Sequence, residues 1–120
     1  MDELKLGMVE ARFADIVWEH EPLSTKELVK RCEEQLNWKR TTTYTVLKKL
    51  CERGIFSMEN STVQAKIRRD EFYAIQSEKF VDETFEGSLP AFIAAFTTRK
   101  TPTAAEIEQI RRMIESFEEK

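Results

Sequence analysis

Between residues 39 and 49 the chain reads Lys-Arg-Thr-Thr-Thr-Tyr-Thr-Val-Leu-Lys-Lys, a run crowded with hydroxyl and amine side chains. At roughly 100° per residue on a helix, Thr41, Thr45 and Lys48 fall opposite an apolar stripe of Thr43, Val46, Leu47 and Leu50. Thr42, Tyr44 and Lys49 fall on the flanks. A threonine offers its hydroxyl to a base edge or a phosphate, and its methyl can touch a thymine methyl. Tyr44 carries a ring that can stack on a sugar and a phenol that can hydrogen-bond. Lys39, Arg40, Lys48, Lys49, Lys66, Arg68 and Arg69 are candidates for phosphate contacts, which set register and affinity but read no sequence. Side chains of this kind, carried on a helix whose other face is apolar, suit a DNA groove.

The neighbouring segments supply what such a helix needs to be held. A first helix is expected from about Met8 to Glu19, burying Val9, Phe13, Ile16 and Val17, with Pro22 ending that region. Ser24 and Glu27 have the spacing of a capping box opening a second helix, whose inner stripe is Leu28, Val29, Cys32 and Leu36. Asn37 and Trp38 make a corner. The third helix then runs from about Thr41 to Arg53, with Gly54 as its left-handed terminator. Residues 55–59 and 62–67 partly alternate about an Asn60-Ser61 turn signal, which predicts an antiparallel hairpin. A helix-turn-helix followed by a hairpin is a winged helix.

Beyond Asp70 the character changes. Phe72, Tyr73, Phe80, Val81 and Phe85 fall on a helix expected to stop at Gly87. Ser88 starts another, with Leu89, Phe92, Ile93 and Phe96 on one side; a last follows Thr103, capped with Glu106, and shows Ile107, Ile110, Ile114 and Phe117. Six of the eight phenylalanines lie in residues 70–120, too much apolar surface for so short a segment to bury alone. Pairing with a second copy is the simplest remedy. The expected fold is therefore mainly α with a small β-hairpin wing: a winged-helix DNA-binding domain over 1–69 and a helical region making a homodimer over 70–120.

The net charge of −3 hides an uneven distribution. Residues 36–69 hold eight basic side chains against two acidic, while residues 70–120 hold six against eleven. Affinity for nucleic acid follows the local field at the phosphates, so the basic middle outweighs the acidic remainder. No apolar run approaches the roughly 20 residues that span a bilayer, and the first residues lack the pattern of a secretory signal. Cys32 and Cys51 form no CxxC pair and are expected as buried thiols, consistent with a reducing cytoplasm. His20, the single histidine, is expected at a helix end. No glycine loop for phosphate, no HExxH and no GxSxG occurs, so no catalytic residue, cofactor or metal site is expected.

Four stretches resemble the BlaI/MecI/CopY family of bacterial repressors, the penicillinase repressors. They are IVWEHEPLSTKELV, NWKRTTTYTVLKKLCERGIF, FEGSLPAFIAAF and TPTAAEIEQIRRMIESFEE, in the family's order and covering nearly the full length. The resemblance implies a dimeric winged helix that binds a palindromic operator of double-stranded DNA and blocks transcription. It implies DNA contacts at Thr41, Thr42, Tyr44 and Thr45, although the family often has Lys or Arg at the positions of Thr41 and Tyr44. In the family's beta-lactam branch a membrane-bound sensor metalloprotease triggers cleavage in the dimerisation region; the matching bond here is Ala95–Phe96, where the family commonly has Asn in place of Ala95. The copper branch carries a cysteine-rich C-terminal metal motif; with no cysteine after Cys51, copper sensing by that motif is not expected. Two other readings stay open: a winged helix used for protein interaction, and a regulator that senses a ligand through the tail or a redox signal through Cys32 and Cys51.

Overall fold

The computed structural model describes residues 6–119, and its contacts divide the chain into two compact units, 1–78 and 79–120. The order of elements is α1 (Met8–His20), β1 (Leu23–Ser24), α2 (Thr25–Leu36), α3 (Arg40–Glu52), β2 (Phe56–Glu59), β3 (Thr62–Ala65), α4 (Arg69–Phe85), α5 (Leu89–Arg99) and α6 (Ala104–Glu118). The chain is thus mainly helical with a small hairpin, as its patterning implies. No helix among the described residues is long and apolar enough to cross a membrane.

In the first unit, α1, α2 and α3 each turn an apolar stripe inward around Phe13, Val17, Leu28, Leu47, Leu50, Ile55, Phe56, Val63 and Phe72, all essentially fully buried. Val9 departs from the expected stripe and is 55% exposed. The first turn of α1 directs Glu10 rather than Val9 toward α3, where it meets two cations. Trp18 closes one side of the core: its indole N–H donates to the Ile67 carbonyl at 3.0 Å, and its ring meets Phe56, Phe72 and Tyr73 at 5.6 to 6.0 Å. Phe72 and Tyr73, grouped by sequence with the aromatic tail, therefore pack on the winged-helix core.

Local chemistry fixes the corners. Asn37 adopts a left-handed conformation (φ 58°) that ends α2, and the Trp38 amide reaches back to the Cys32 carbonyl at 3.3 Å. Gly54 (φ +82°) ends α3. The Ser24 hydroxyl accepts from the Glu27 amide at 3.0 Å, but the reciprocal arm of the capping box is absent. Ser24 belongs to β1 and pairs with Thr62, while the Glu27 carboxylate turns to Arg31 at 2.9 Å.

The sheet has the order β1-β3-β2, all antiparallel. Asn60 (φ 52°) and Ser61 (φ 62°) form the two-residue turn of the β2–β3 hairpin, both left-handed as a primed turn requires. The strand β1 has no signal in the sequence; it is two residues long and exists through its pairing with β3. The Glu21 carboxylate extends that edge by accepting from the Ala65 amide at 2.8 Å.

In the second unit the caps match expectation. Glu86 and Gly87 take positive φ after α4, the Ser88 hydroxyl accepts from the Ala91 amide at 3.1 Å, and Thr103 and Glu106 cap each other reciprocally at 2.9 and 3.1 Å. Phe80, Phe85 and Phe92 form an edge-to-face cluster with centroids 5.8 to 6.1 Å apart, and Phe96 joins Phe92 at 6.2 Å. Helices α5 and α6 bury no residue in the single chain.

Candidate nucleic-acid interface

The third helix packs through Thr43, Leu47 and Leu50, which leaves Thr41, Thr45, Lys48 and Glu52 as its exposed ridge. One flank, with Tyr44 and Cys51, faces the wing across a shallow groove that Leu47, Lys48, Glu52 and Met58 also line. The other flank, with Lys49 and Arg53, faces α1. The N-terminal half of the ridge offers hydroxyls and the C-terminal half ends on a carboxylate, so the end able to approach polyanionic DNA is the N-terminal one. That end also carries the partial positive charge of the helix dipole.

The hydroxyls are not equivalent. Thr43 is buried, and its hydroxyl donates to the Lys39 carbonyl at 3.4 Å. The Thr45 hydroxyl donates to the Thr41 carbonyl at 2.9 Å, so its oxygen remains available as an acceptor, suited to the amino groups of cytosine or adenine. Thr41 and Thr42 are exposed. Tyr44 is tethered: Thr25 hydrogen-bonds its phenol and, with the Arg40 guanidinium beside it, holds the phenol below its ordinary range. Arg40 also lies 5.6 Å over the Tyr44 ring. Because the Thr25 amide donates to the Ser61 carbonyl at 2.9 Å, one residue links the wing turn, the start of α2 and Tyr44. Nothing in the local sequence marks Thr25 for this role.

The cations divide into two sets. Lys39, Lys48, Lys66 and Arg68 are exposed and make no ion pair among the described residues. Lys66 lies near enough to Cys51 for its charge to act on the thiol, which puts it beside the wing-side flank of α3. Arg68 follows the hairpin and is exposed. Lys49, by contrast, sits 2.8 Å from Glu10. Arg69 pairs with Asp15 at 3.1 Å and lies 5.1 Å over the Tyr73 ring, so it anchors the start of α4 to α1.

Burial pushes both thiols up, Cys32 by desolvation against a weaker interaction with the Thr43 side chain, and Cys51 by desolvation against Lys66. Raised, shielded thiols are poor nucleophiles. His20 lies at the end of α1, 3.3 Å from an Arg31 guanidinium nitrogen. Ala95 and Phe96 lie in the second unit, both exposed on α5.

Comparison with known proteins identifies the family. The penicillinase repressor family matches residues 6–116. A penicillinase repressor from Bacillus licheniformis is 18% identical over 115 residues, covering 92% of this chain and 90% of that protein. A winged helix with an exposed hydroxyl-and-lysine ridge, matched to that family over nearly its whole length, belongs to the penicillinase repressor family and with it to the DNA-binding regulators of transcription.

Proposed function

We propose that the chain acts as a homodimer on a palindromic operator, each copy laying the N-terminal half of α3 in the major groove. Thr41, Thr42, Tyr44 and Thr45 read base edges; Lys39, Arg40, Lys48, Lys66 and Arg68 meet phosphates. The observation that carries this reading is the division of α3 into a packed face and an open ridge, with cations around its N-terminal half and beside the wing that make no ion pair among the described residues.

The dimer rests on the second unit. On α6, Ile107, Ile110, Ile114 and Phe117 recur at i, i+3, i+7 and i+10, the spacing of a helix-pairing seam, and each is about half exposed or more. Leu89, Ile93 and Phe96 on α5 are similarly open. A monomer rarely presents so much contiguous apolar surface, and a second copy offers the same stripes for symmetric burial.

Release from DNA follows cleavage at Ala95–Phe96, triggered by a membrane sensor metalloprotease. That bond lies on an exposed helix whose last turn carries two threonines that bond back to its own carbonyls. The Thr97 hydroxyl donates back to the Ile93 and Ala94 carbonyls at 2.8 and 3.2 Å, and the Thr98 hydroxyl to the Ala94 carbonyl at 2.9 Å. Cutting there separates α6, with its whole seam, from the winged helix.

The test combines sedimentation with fluorescence anisotropy on a duplex selected by the protein. A dimer at micromolar concentration, binding as one dimer per site, is expected. A monomer that binds one half-site, or a protein that binds no duplex at low salt, contradicts the reading.

A further inference from the structure

We propose that Glu10 is a positioning residue for α3: its carboxylate holds the Lys49 and Arg53 side chains against α1, keeps Lys49 off the phosphates, and leaves Lys48 as the cation of that turn that meets DNA. The inference rests on the reading of α3 as the DNA-facing helix and goes beyond it, because it assigns opposite roles to two adjacent lysines.

The geometry is a three-way clamp. The Glu10 carboxylate accepts from the Gly7 amide at 3.1 Å, lies 2.8 Å from the Lys49 ammonium and 3.5 Å from an Arg53 guanidinium nitrogen. Lys49 and Arg53 are one turn apart on the flank of α3 that faces α1, while Lys48 is on the ridge. The Glu10 side chain is 18% exposed, against 51% for Lys49 and 25% for Arg53, so the acid is the shielded centre of the group.

An isolated exposed ion pair contributes little, and a lysine alone could swing to a phosphate. This acid, however, sits in the first turn of a helix, where the dipole favours a carboxylate, and it takes three donors at once. The Lys49 hydrogen bond, followed by the Gly7 amide, holds it below the usual carboxylate range. Moving Lys49 onto DNA would strip the carboxylate of its nearest cation beside a polyanion. Glu10 therefore fixes the angle of α3 on α1 and trims the charge the helix presents. The consequence is lower affinity for arbitrary DNA and a larger gap between operator and background.

The experiment uses the full chain and measures the salt dependence of binding to a duplex selected by the protein from random-sequence DNA, and to a scrambled duplex. Each phosphate contact contributes about 0.9 to the slope of log K against log salt. Lys48→Ala is expected to flatten the slope by about that amount, and Lys49→Ala to leave it where it was. Glu10→Gln, which keeps the side-chain shape, is expected to steepen the slope by about 0.9 and to tighten binding to the scrambled duplex. Adding Lys49→Ala to it should return the slope to the original value.

A Lys49→Ala slope as flat as that of Lys48→Ala overturns the proposal, and so does a Glu10→Gln slope that does not change. If Glu10→Gln does not fold, the contrast between the two lysines decides alone. A carbon-13 NMR titration of the Glu10 carboxyl, made without DNA, separates this proposal from the reading beneath it. It should titrate low in the original chain and move up in Lys49→Ala. A carboxyl that titrates the same in both removes the clamp, whereas a low carboxyl in a protein that binds no duplex removes the DNA reading and the phosphate half of the proposal with it.

Discussion

Thr25 is buried at the start of α2, where its backbone amide bonds the wing turn and its hydroxyl bonds Tyr44. Valine there keeps the volume and loses the hydroxyl. Thr25→Val is expected to lower stability, measured by urea unfolding. It should also let the Tyr44 phenol titrate higher, read by ultraviolet absorbance in a Tyr73→Phe background. Glu52 ends the exposed ridge of α3 with a charge that opposes phosphate. Glu52→Gln should therefore tighten binding to operator and scrambled duplexes alike, a uniform gain that anisotropy detects. The charge pattern of α3 is visible in the sequence, because it follows from helix geometry alone. The tether from Thr25 to Tyr44 and the pairing of Lys49 with Glu10 are not, since each joins residues far apart in the chain with no local mark.

At the scale of elements, the caps and turns carry much of the specification. Gly54 has open space where a Cβ would go, so the cost of a side chain there is backbone strain alone. Gly54→Ala is expected to destabilise the winged helix by about 1 to 2 kcal/mol through the left-handed conformation. Ser61 holds a similar conformation in the wing turn without being glycine, and Ser61→Gly should stabilise by about 0.5 to 1 kcal/mol. Glycine caps, the Asn60-Ser61 turn and the Thr103–Glu106 box were legible because each is a short-range signal. Strand β1 was not, because two residues have no periodicity and only β3 makes them a strand. The tie between α1 and α3 also has a pH signature. A carboxyl held low in the folded state stabilises fully above its unfolded pKa of about 4.3 and loses that contribution as pH falls through the lower folded value. Glu10→Gln should lower stability at neutral pH and flatten this acid arm of the profile, measured by urea unfolding across pH.

For the whole molecule, the contrast lies between a first unit with a closed core and a second whose two last helices bury nothing by themselves. The excess of phenylalanine past residue 70 announced that imbalance, although Phe72 belongs to the first core rather than to the exposed surface. A charge on the seam, Ile110→Glu with Ile114→Glu, is expected to give monomers by sedimentation that keep the thermal transition of the winged helix. Their operator affinity should fall by orders of magnitude, because each half-site is then bound alone. The measurement that bears most directly on the account is selection of binding sites from random-sequence DNA, followed by footprinting on the consensus. An inverted repeat is expected, with two equal major-groove protections whose centres lie one or more turns of about 10 bp apart. A consensus without two-fold symmetry, or a single protected groove at saturating protein, would contradict it.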